Sequence, residues 1–248
     1  MPAKGERVDR LLVERGLVGS RERARRLILA GEVWSNDHRV AKASDLLAAD
    51  APLEVRGGDI PFVSRGGLKL DAALDHWKID VTANVAVDVG ASTGGFTDCL
   101  LQRGAARVFA IDVGYGQFAW KLRQDARVTL FERTNVRHFD PARLGVPADI
   151  VVADASFISL KLILPVMDAM LRPGGILLPL VKPQFEVGKG QVGKGGVVRS
   201  AELHEASVAA VRSAGEGLGL RSNGSFASPV EGPKGNREFF VLFEKPQA

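Results

Sequence analysis

The sequence is poor in the features that mark secreted, membrane-spanning and metal-binding proteins. Its single cysteine, Cys99, excludes an internal disulfide framework and a zinc cluster built on cysteines. The longest apolar runs, such as residues 176–181, are far too short to span a bilayer. No apolar segment of the secretory type follows the charged start MPAKGERVDR, and the four histidines show no metal-ligand spacing. We therefore expect a cytoplasmic protein that binds no metal and enters no membrane.

The 248 residues have an ordinary globular composition, with 46% hydrophobic and 25% charged side chains. This length accommodates one large domain, or a small domain followed by a medium one. The net charge of +4 is modest, but residues 1–30 carry eight Lys or Arg against four Asp or Glu. Four of these cations lie within six positions: Arg21, Arg23, Arg25 and Arg26. A second basic stretch, set among glycines, contains Lys182, Lys189, Lys194 and Arg199.

Clustered arginines attract a phosphate backbone because each neutralised phosphate releases counterions. A solvated helix face would have the same composition, so this alternative stays open. Residues 7–15 predict a short helix, and Ser20 is a suitable N-cap for a second helix over residues 21–30 that ends at Gly31. A hairpin is predicted at residues 33–40, with a closing strand at 53–55. These elements indicate a small α+β domain over residues 1–59.

The glycine-rich stretch 56–67 indicates a domain boundary, with residues 60–64 as the linker and residues 65–248 as the second domain. Strands are predicted at residues 85–89, 108–111, 128–131, 150–153, 176–181, 225–227 and 238–243. Helices are predicted near residues 95–103, 160–171 and 201–217. This alternation is typical of an α/β fold with a mostly parallel, doubly wound sheet. Ligands of such sheets bind beyond the carboxyl ends of the strands.

The first strand of this domain runs into the glycine-rich segment DVGASTGGFTD, residues 88–98. Glycine lets the backbone approach a ligand closely, and the following helix offers free amides. The glycine spacing fits neither a dinucleotide fingerprint nor a Walker loop, which disfavours a pyrophosphate ligand. Asp112 ends the next strand and is placed to accept the hydroxyls of an adenosine ribose, although a turn carboxylate is the plainer interpretation.

Two cations and two carboxylates from separate segments form a third group: Lys69, Asp154, Lys182 and Glu238. If they converge, each buried charge has an opposite partner. An ammonium beside a ribose hydroxyl could stabilise the developing alkoxide or accept the proton, which suits methyl transfer to oxygen. Taken singly, Lys69 and Glu238 would be ordinary surface residues.

Five blocks together resemble the TlyA family, which is often called haemolysin A: VSRGGLKL (63–70), DVGASTGGFTD (88–98), DASFISL (154–160), VKPQFE (181–186) and GPKGNREFFVLF (232–243). Residues 7–55 resemble the S4-type RNA-binding fold that begins these proteins. The resemblance implies a Rossmann-like, FtsJ-like methyltransferase that uses S-adenosylmethionine to methylate cytidine 2′-hydroxyls of ribosomal RNA. The linker reads DIPFV here, whereas some bifunctional members carry an Arg-x-Trp-Val type, so the range of targets stays open.

The resemblance implies a catalytic tetrad of Lys69, Asp154, Lys182 and Glu238. The expected cofactor residues are Asp88, Gly90, Ala91, Ser92, Thr93, Gly94, Gly95, Phe96, Asp112 and Asp154. The expected RNA-binding residues are Arg21, Arg23, Arg25, Arg26, Arg65, Lys189 and Lys194. The alternatives are a pore-forming haemolysin, for which we find no amphipathic or spanning segment, and a non-catalytic assembly factor that binds ribosomal RNA.

Overall fold

A computed structural model of the chain describes residues 5–36, 38–55, 60–188, 190–232 and 234–247, with Ala30 described by its backbone alone. The chain forms two compact units, Met1–Arg65 and Gly66–Ala248. Among the described residues, no helix combines the length and the apolar composition needed to cross a membrane. The domain boundaries at residues 59 and 65 remain a prediction.

The first unit packs two helices against short strands. In chain order its elements are β1 (Glu6–Arg7), α1 (Val8–Glu14), α2 (Arg21–Ala30), β2 (Val33–Ser35), β3 (His38–Arg39), β4 (Leu46–Leu47) and β5 (Glu54–Val55). The Ser20 hydroxyl caps α2 by accepting from the Arg23 N–H at 3.2 Å, and Gly31 ends it at φ 74°. The predicted hairpin is confirmed, since Trp34 pairs with Arg39; its turn residue Asp37 lies outside the described residues.

The apolar residues of these helices and strands form one small core. Its buried members are Val8, Leu12, Val18, Ala24, Leu27, Ile28, Val33 and Val40. Leu27 and Ile28 reach this core because they share a face of α2 with Ala24, as the spacing predicted. The opposite face of α2 presents Arg21 and Arg25 to solvent.

The second unit begins with α3 (Gly66–Trp77), which the sequence analysis assigned partly to a linker and otherwise missed. It continues with β6 (Val85–Val89), α4 (Gly95–Gln102), β7 (Arg107–Ile111), α5 (Trp120–Arg123), β8 (Val128–Phe131) and β9 (Ala148–Ala153). It ends with α6 (Leu164–Met170), β10 (Leu171–Val181), α7 (Pro183–Glu186), α8 (Ala201–Glu216), β11 (Arg221–Ala227) and β12 (Phe239–Glu244).

Seven of the described strands form one sheet in the order β11-β12-β10-β9-β6-β7-β8. The five strands from β10 to β8 run parallel, and β12 is antiparallel to both β10 and β11. The expected α/β class with a mostly parallel sheet is confirmed. A core of β6, β7, β9, β10 and β12 side chains with α6 fixes the register, because a shift by one residue would turn Val87, Val151 and Leu177 to the other face.

One segment differs from the prediction. The segment Pro173-Gly174-Gly175 was expected to close a helix, but it lies inside β10 at a shift of register between Leu171 and Ile176. Proline and glycine are tolerated in strands at such bulges, so the strand starts five residues earlier than expected. The described part of the glycine-rich stretch 188–196 contains only a short turn at Lys194–Gly196.

Candidate functional site

Five neighbouring strands carry the predicted site residues just beyond one edge of the sheet. Val89 of β6 pairs with Ile111 of β7 and with Ala153 of β9, so the next residues, Asp112, Gly90 and Asp154, lie side by side. Val181 of β10 pairs with Phe239 of β12, which places Lys182 opposite Glu238. Adjacent strands are about 4.8 Å apart, so these side chains share one edge.

The glycine turn after β6 depends on the missing side chain of Gly90. Its φ is 81°, and a Cβ there would lie 2.8 Å from the backbone oxygen of Asp154. Both the backbone conformation and the close approach of the neighbouring strand end therefore require glycine. Ser92 follows at φ 51°, a left-handed conformation that is uncommon for a residue with a side chain.

The Asp112 carboxylate ties this turn to the loop after β7. Its Oδ2 accepts the Ser92 N–H at 2.7 Å, and its Oδ1 accepts the Gly114 N–H at 2.6 Å and the Gln117 side-chain amide at 3.1 Å. A carboxylate offers about four lone-pair sites, so one remains for a ligand hydroxyl. The carboxylate is thereby held in place before any ligand binds.

A pocket of about 480 Å³ opens at this edge, a size that suits a nucleoside-sized ligand. Its wall consists of Val89, Gly90, Ser92, Ile111, Asp112, Val113, Gln117, Thr134, Asn135, Val136, Asp154, Ala155, Ser156, Phe157 and Ile158. Four of the ten predicted cofactor residues line it: Gly90, Ser92, Asp112 and Asp154.

The other predicted cofactor residues lie outside the pocket wall. Thr93, Gly94 and Gly95 complete the turn and begin α4. Ala91 and Asp88 are buried, and Phe96 is 3% exposed with its ring 6.0 Å from that of Phe240. Phe96 therefore packs in the hydrophobic core, and its contact with the cofactor stays a prediction.

Asp88 is a buried acid directly beneath the glycine turn. Its Oδ2 accepts the Thr97 hydroxyl at 2.6 Å, and its Oδ1 has no hydrogen-bond partner among the described residues. Burial raises the pKa of Asp88 to about 7, and the nearby charges of Asp154 and Asp112 act in the same direction. The carboxyl is thus largely protonated in mildly acidic solution.

This raised pKa predicts a pH-dependent stability. The pKa of an unfolded aspartate is about 3.9, so folding favours the protonated form of Asp88. Its stabilising contribution is complete below pH ~4 and is lost as the pH rises through about 7. Because Asp88→Asn is neutral throughout, its melting temperature should rise relative to that of the wild type between pH ~4 and ~8.

Thermal unfolding across this pH range measures the effect, and Asp80→Asn is the matched control. The exposed Asp80 accepts the Thr82 N–H at 2.8 Å, which together with the Thr82 hydroxyl lowers its pKa. Asp80→Asn should therefore show no upward trend. A melting difference between wild type and Asp88→Asn that does not change with pH would contradict the prediction.

Lys182 is buried against two residues of the pocket wall, Asp154 and Ser156. Its Nζ lies 2.6 Å from Asp154 Oδ1 and donates a hydrogen bond to Ser156 Oγ at 2.8 Å. The residue is 8% exposed, so little of its charge is in contact with water. Asp154 neutralises this charge, and Ser156 fixes the direction of one N–H.

Lys69 and Glu238 form a second buried ion pair at 2.6 Å, with 4% and 1% of each residue exposed. Helix α3 brings Lys69 to the sheet, and Glu238 directly precedes β12. Glu238 Oε1 is buried and has no hydrogen-bond partner among the described residues, while a Cβ at Gly232 would collide with it. A buried carboxylate oxygen without a donor is uncommon in folded proteins.

Hydrogen bonds to the Glu186 carboxylate join the loop after β9 to the segment after β10. Glu186 of α7 accepts the Ser159 hydroxyl at 2.6 Å and the Leu160 N–H at 2.7 Å. Burial raises the pKa of Glu186 despite these donors. Phe157 lies within the same loop at φ 63° with 92% of the residue exposed, and its ring is 5.2 Å from that of Phe185. The hydrogen bonds to Glu186 therefore fix the loop that carries Asp154, Ser156 and Phe157.

Sequence reasoning missed one wall of the pocket. Thr134, Asn135 and Val136 follow β8 and line the pocket, but no charged motif or glycine turn marks them. Only their position in the chain could have indicated them, because they follow β8, the strand that pairs with β7, and Asp112 follows β7. Gln117 was also missed, although it lies five residues after Asp112 and bonds to it.

The described members of the predicted RNA-binding set belong to both units. Arg21 and Arg25 are exposed and pair with Asp9, whereas Arg23, Arg26 and Arg65 are half-buried. Lys194 is exposed in the turn after the glycine-rich stretch. Lys189 lies outside the described residues.

Comparison with known proteins agrees with this geometry. A family model described as FtsJ-like methyltransferase matches residues 62–245, and one described as S4 domain matches residues 6–51. TlyA of Mycobacterium tuberculosis, named a 16S/23S rRNA (cytidine-2′-O)-methyltransferase, is 48% identical over 240 residues, covering 96% of this chain and 90% of the relative. Hemolysin A of Brachyspira hyodysenteriae is 37% identical over 239 residues, covering 96% of this chain and 99% of that protein.

A solved structure from Streptococcus thermophilus is similar over nearly the whole chain. The TM-score is 0.78 at 41% sequence identity, with 99% of this chain and 90% of that chain covered. The FtsJ-like family model covers well over half of the chain. The matched residues include the strand ends that form the pocket described above. The chain therefore belongs to the FtsJ-like methyltransferase family, with an S4 domain preceding the methyltransferase domain.

Proposed function

We propose that this protein transfers a methyl group from S-adenosylmethionine to the 2′-hydroxyl of a cytidine in ribosomal RNA. The observation that carries the proposal is the buried Lys182 ammonium, held by Asp154 and Ser156 beside a nucleoside-sized pocket. The name of the Mycobacterium tuberculosis relative supports the cytidine and the ribosomal substrate. Such a substrate would place the protein in the cytoplasm.

The pocket fits the proposed cofactor in charge and in shape. Asp112 would accept a ribose hydroxyl, and Gly90, which lines the pocket, would lie against the amino-acid portion. When bound, S-adenosylmethionine supplies a methyl group on a cationic sulfur. The carboxylate of Asp154, which also lines the pocket, would complement that charge.

The four charged residues divide the remaining work. Nζ of Lys182, once it has released a proton to solvent, would accept the 2′-hydroxyl proton as that oxygen takes the methyl group and the electron pair of the broken C–S bond stays on the sulfur. Asp154 would hold that ammonium in place. Lys69 and Glu238 would orient the nucleotide, with Glu238 Oε1 as the free acceptor.

The RNA would be bound outside this pocket by two kinds of surface. The exposed ring of Phe157, at the pocket mouth, offers a face to an unpaired base, as aromatic residues do in other proteins that bind single-stranded RNA. The arginines of α2, with Arg65, Lys189 and Lys194, would contact phosphates and set the affinity without specifying the sequence.

Transfer of a tritiated methyl group to isolated small and large ribosomal subunits tests the proposal. We expect label in ribosomal RNA that survives alkaline hydrolysis within a dinucleotide, because a methylated 2′-oxygen cannot attack the neighbouring phosphate. Mapping the resistant bond identifies the nucleotide and the subunit. Label on a base, or no transfer to either subunit by a protein that binds the cofactor, would overturn the proposal.

A further inference from the structure

One buried carboxylate in the first unit forms ion pairs with three arginines. Asp9 lies in α1 and is 0% exposed. Arg7 binds it with two N–H groups, at 2.9 Å to Oδ1 and 3.1 Å to Oδ2. Arg21 and Arg25 of α2 donate to Oδ2 at 2.9 and 3.3 Å. We call these four residues the Asp9 cluster.

The cluster hides its negative charge and exposes its positive charges. The side chains of Arg7, Arg21 and Arg25 are 42%, 51% and 55% exposed, whereas that of Asp9 is 0% exposed. Three guanidiniums against one carboxylate leave an excess of two positive charges. The three hydrogen-bonded arginines hold the pKa of Asp9 far below its usual range, so it stays ionised.

The arginines keep donors available for a ligand. A guanidinium has five N–H groups, of which Arg21 and Arg25 each use one on Asp9. Guanidinium forks match the geometry of phosphate oxygens and bind them in pairs. Free arginine side chains must be ordered when RNA binds, whereas these are already fixed, which removes part of the cost of binding.

We propose that Asp9 is the positioning residue of a phosphate-binding surface for the RNA backbone, and that this buried anion increases the affinity for RNA. The inference rests on the proposed RNA substrate. It assigns Arg7 to the surface in addition to the arginines of α2, because Arg7 makes the bidentate contact with Asp9.

The test is Asp9→Asn in the full-length chain, with binding to a labelled RNA hairpin of about 30 nucleotides measured from about 50 to about 300 mM KCl. Simple charge addition predicts tighter binding, since the variant has one negative charge fewer. A positioning role predicts binding weaker by roughly 5- to 10-fold, with a salt slope shallower by about 1 to 2 because fewer phosphates are neutralised. Tighter or unchanged binding would overturn the proposal.

Glu14→Gln is the matched control, because it also removes one negative charge from α1. Glu14 is exposed and pairs with the single, exposed Arg10 at 2.6 Å. This variant should bind the hairpin as tightly as the wild type or slightly more tightly. If it weakened binding as much as Asp9→Asn does, the cluster would have no special role.

Loss of the buried carboxylate also affects folding, so Arg21→Lys and Arg25→Lys provide a second measurement. Both keep the net charge and lose the guanidinium fork. We expect weaker hairpin binding by each at unchanged melting temperature, and wild-type affinity in both would contradict the proposal.

Methyl transfer separates this inference from the proposed function: Asp9→Asn should raise the KM for ribosomal subunits at unchanged kcat, whereas failure of the proposed function would abolish transfer by the wild type as well.

Discussion

Lys182→Ala is expected to lower the rate of methyl transfer by roughly 10²- to 10⁴-fold while the affinity for S-adenosylmethionine changes only severalfold. Lys182 is 8% exposed and contacts Asp154 and Ser156, so its ammonium is held in one position, as the proposed contact with the substrate oxygen requires. Tritiated methyl transfer and calorimetry of cofactor binding measure the two quantities separately.

Lys182→Arg is the control for charge. It keeps a cation beside Asp154, but a planar guanidinium cannot occupy the position of the Nζ atom or accept a proton. We expect cofactor binding close to that of the wild type and a rate nearly as low as that of the alanine variant. Substantial activity of Lys182→Ala would exclude the proposed role of Lys182.

Gly90→Ala is expected to abolish cofactor binding, with a loss in affinity of at least about 100-fold, because the pocket wall must move. The new Cβ would lie 2.8 Å from the Asp154 backbone oxygen, and the φ of 81° costs a residue with a side chain roughly 1–2 kcal/mol. The displaced residue is the one that binds Lys182, so methyl transfer should be lost as well.

Gly145→Ala separates backbone strain from this contact. Gly145 has a similar φ of 72°, but a Cβ there meets nothing within 4 Å. It should lower the melting temperature by the strain alone and leave calorimetric cofactor binding unchanged. Equal cofactor affinities of the two alanine variants would contradict the role assigned to the turn.

The large sheet could be predicted from the sequence because its strands are short apolar runs that end on polar residues or glycine. The strands predicted at residues 85–89 and 150–153 have bounds close to those of β6 and β9. Helix α3 was missed because Gly66 and Gly67 at its start resemble a linker. The buried Leu70, Ala73 and Leu74 have helical spacing, so the periodicity did carry the signal.

The site was predictable in its parts and not in its contacts. Polar residues at strand ends indicated Asp112, Asp154 and Lys182, because parallel strands end at one edge. The partner of Lys69 could not be derived from spacing, since 169 residues separate it from Glu238. Phe157 shows a different limit: its position three residues after Asp154 does not indicate that 92% of the residue is exposed.

The Lys69–Glu238 pair also determines when helix α3 can pack during synthesis of the chain. The ribosome makes Lys69 long before its partner, and a lone ammonium stays hydrated because burying it unpaired is costly. Helix α3 therefore cannot seat fully on the sheet until Glu238 has emerged and β12 has inserted between β10 and β11. A nascent chain that lacks β12 thus cannot bury this ion pair, and the methyltransferase unit packs completely only when its synthesis is nearly finished.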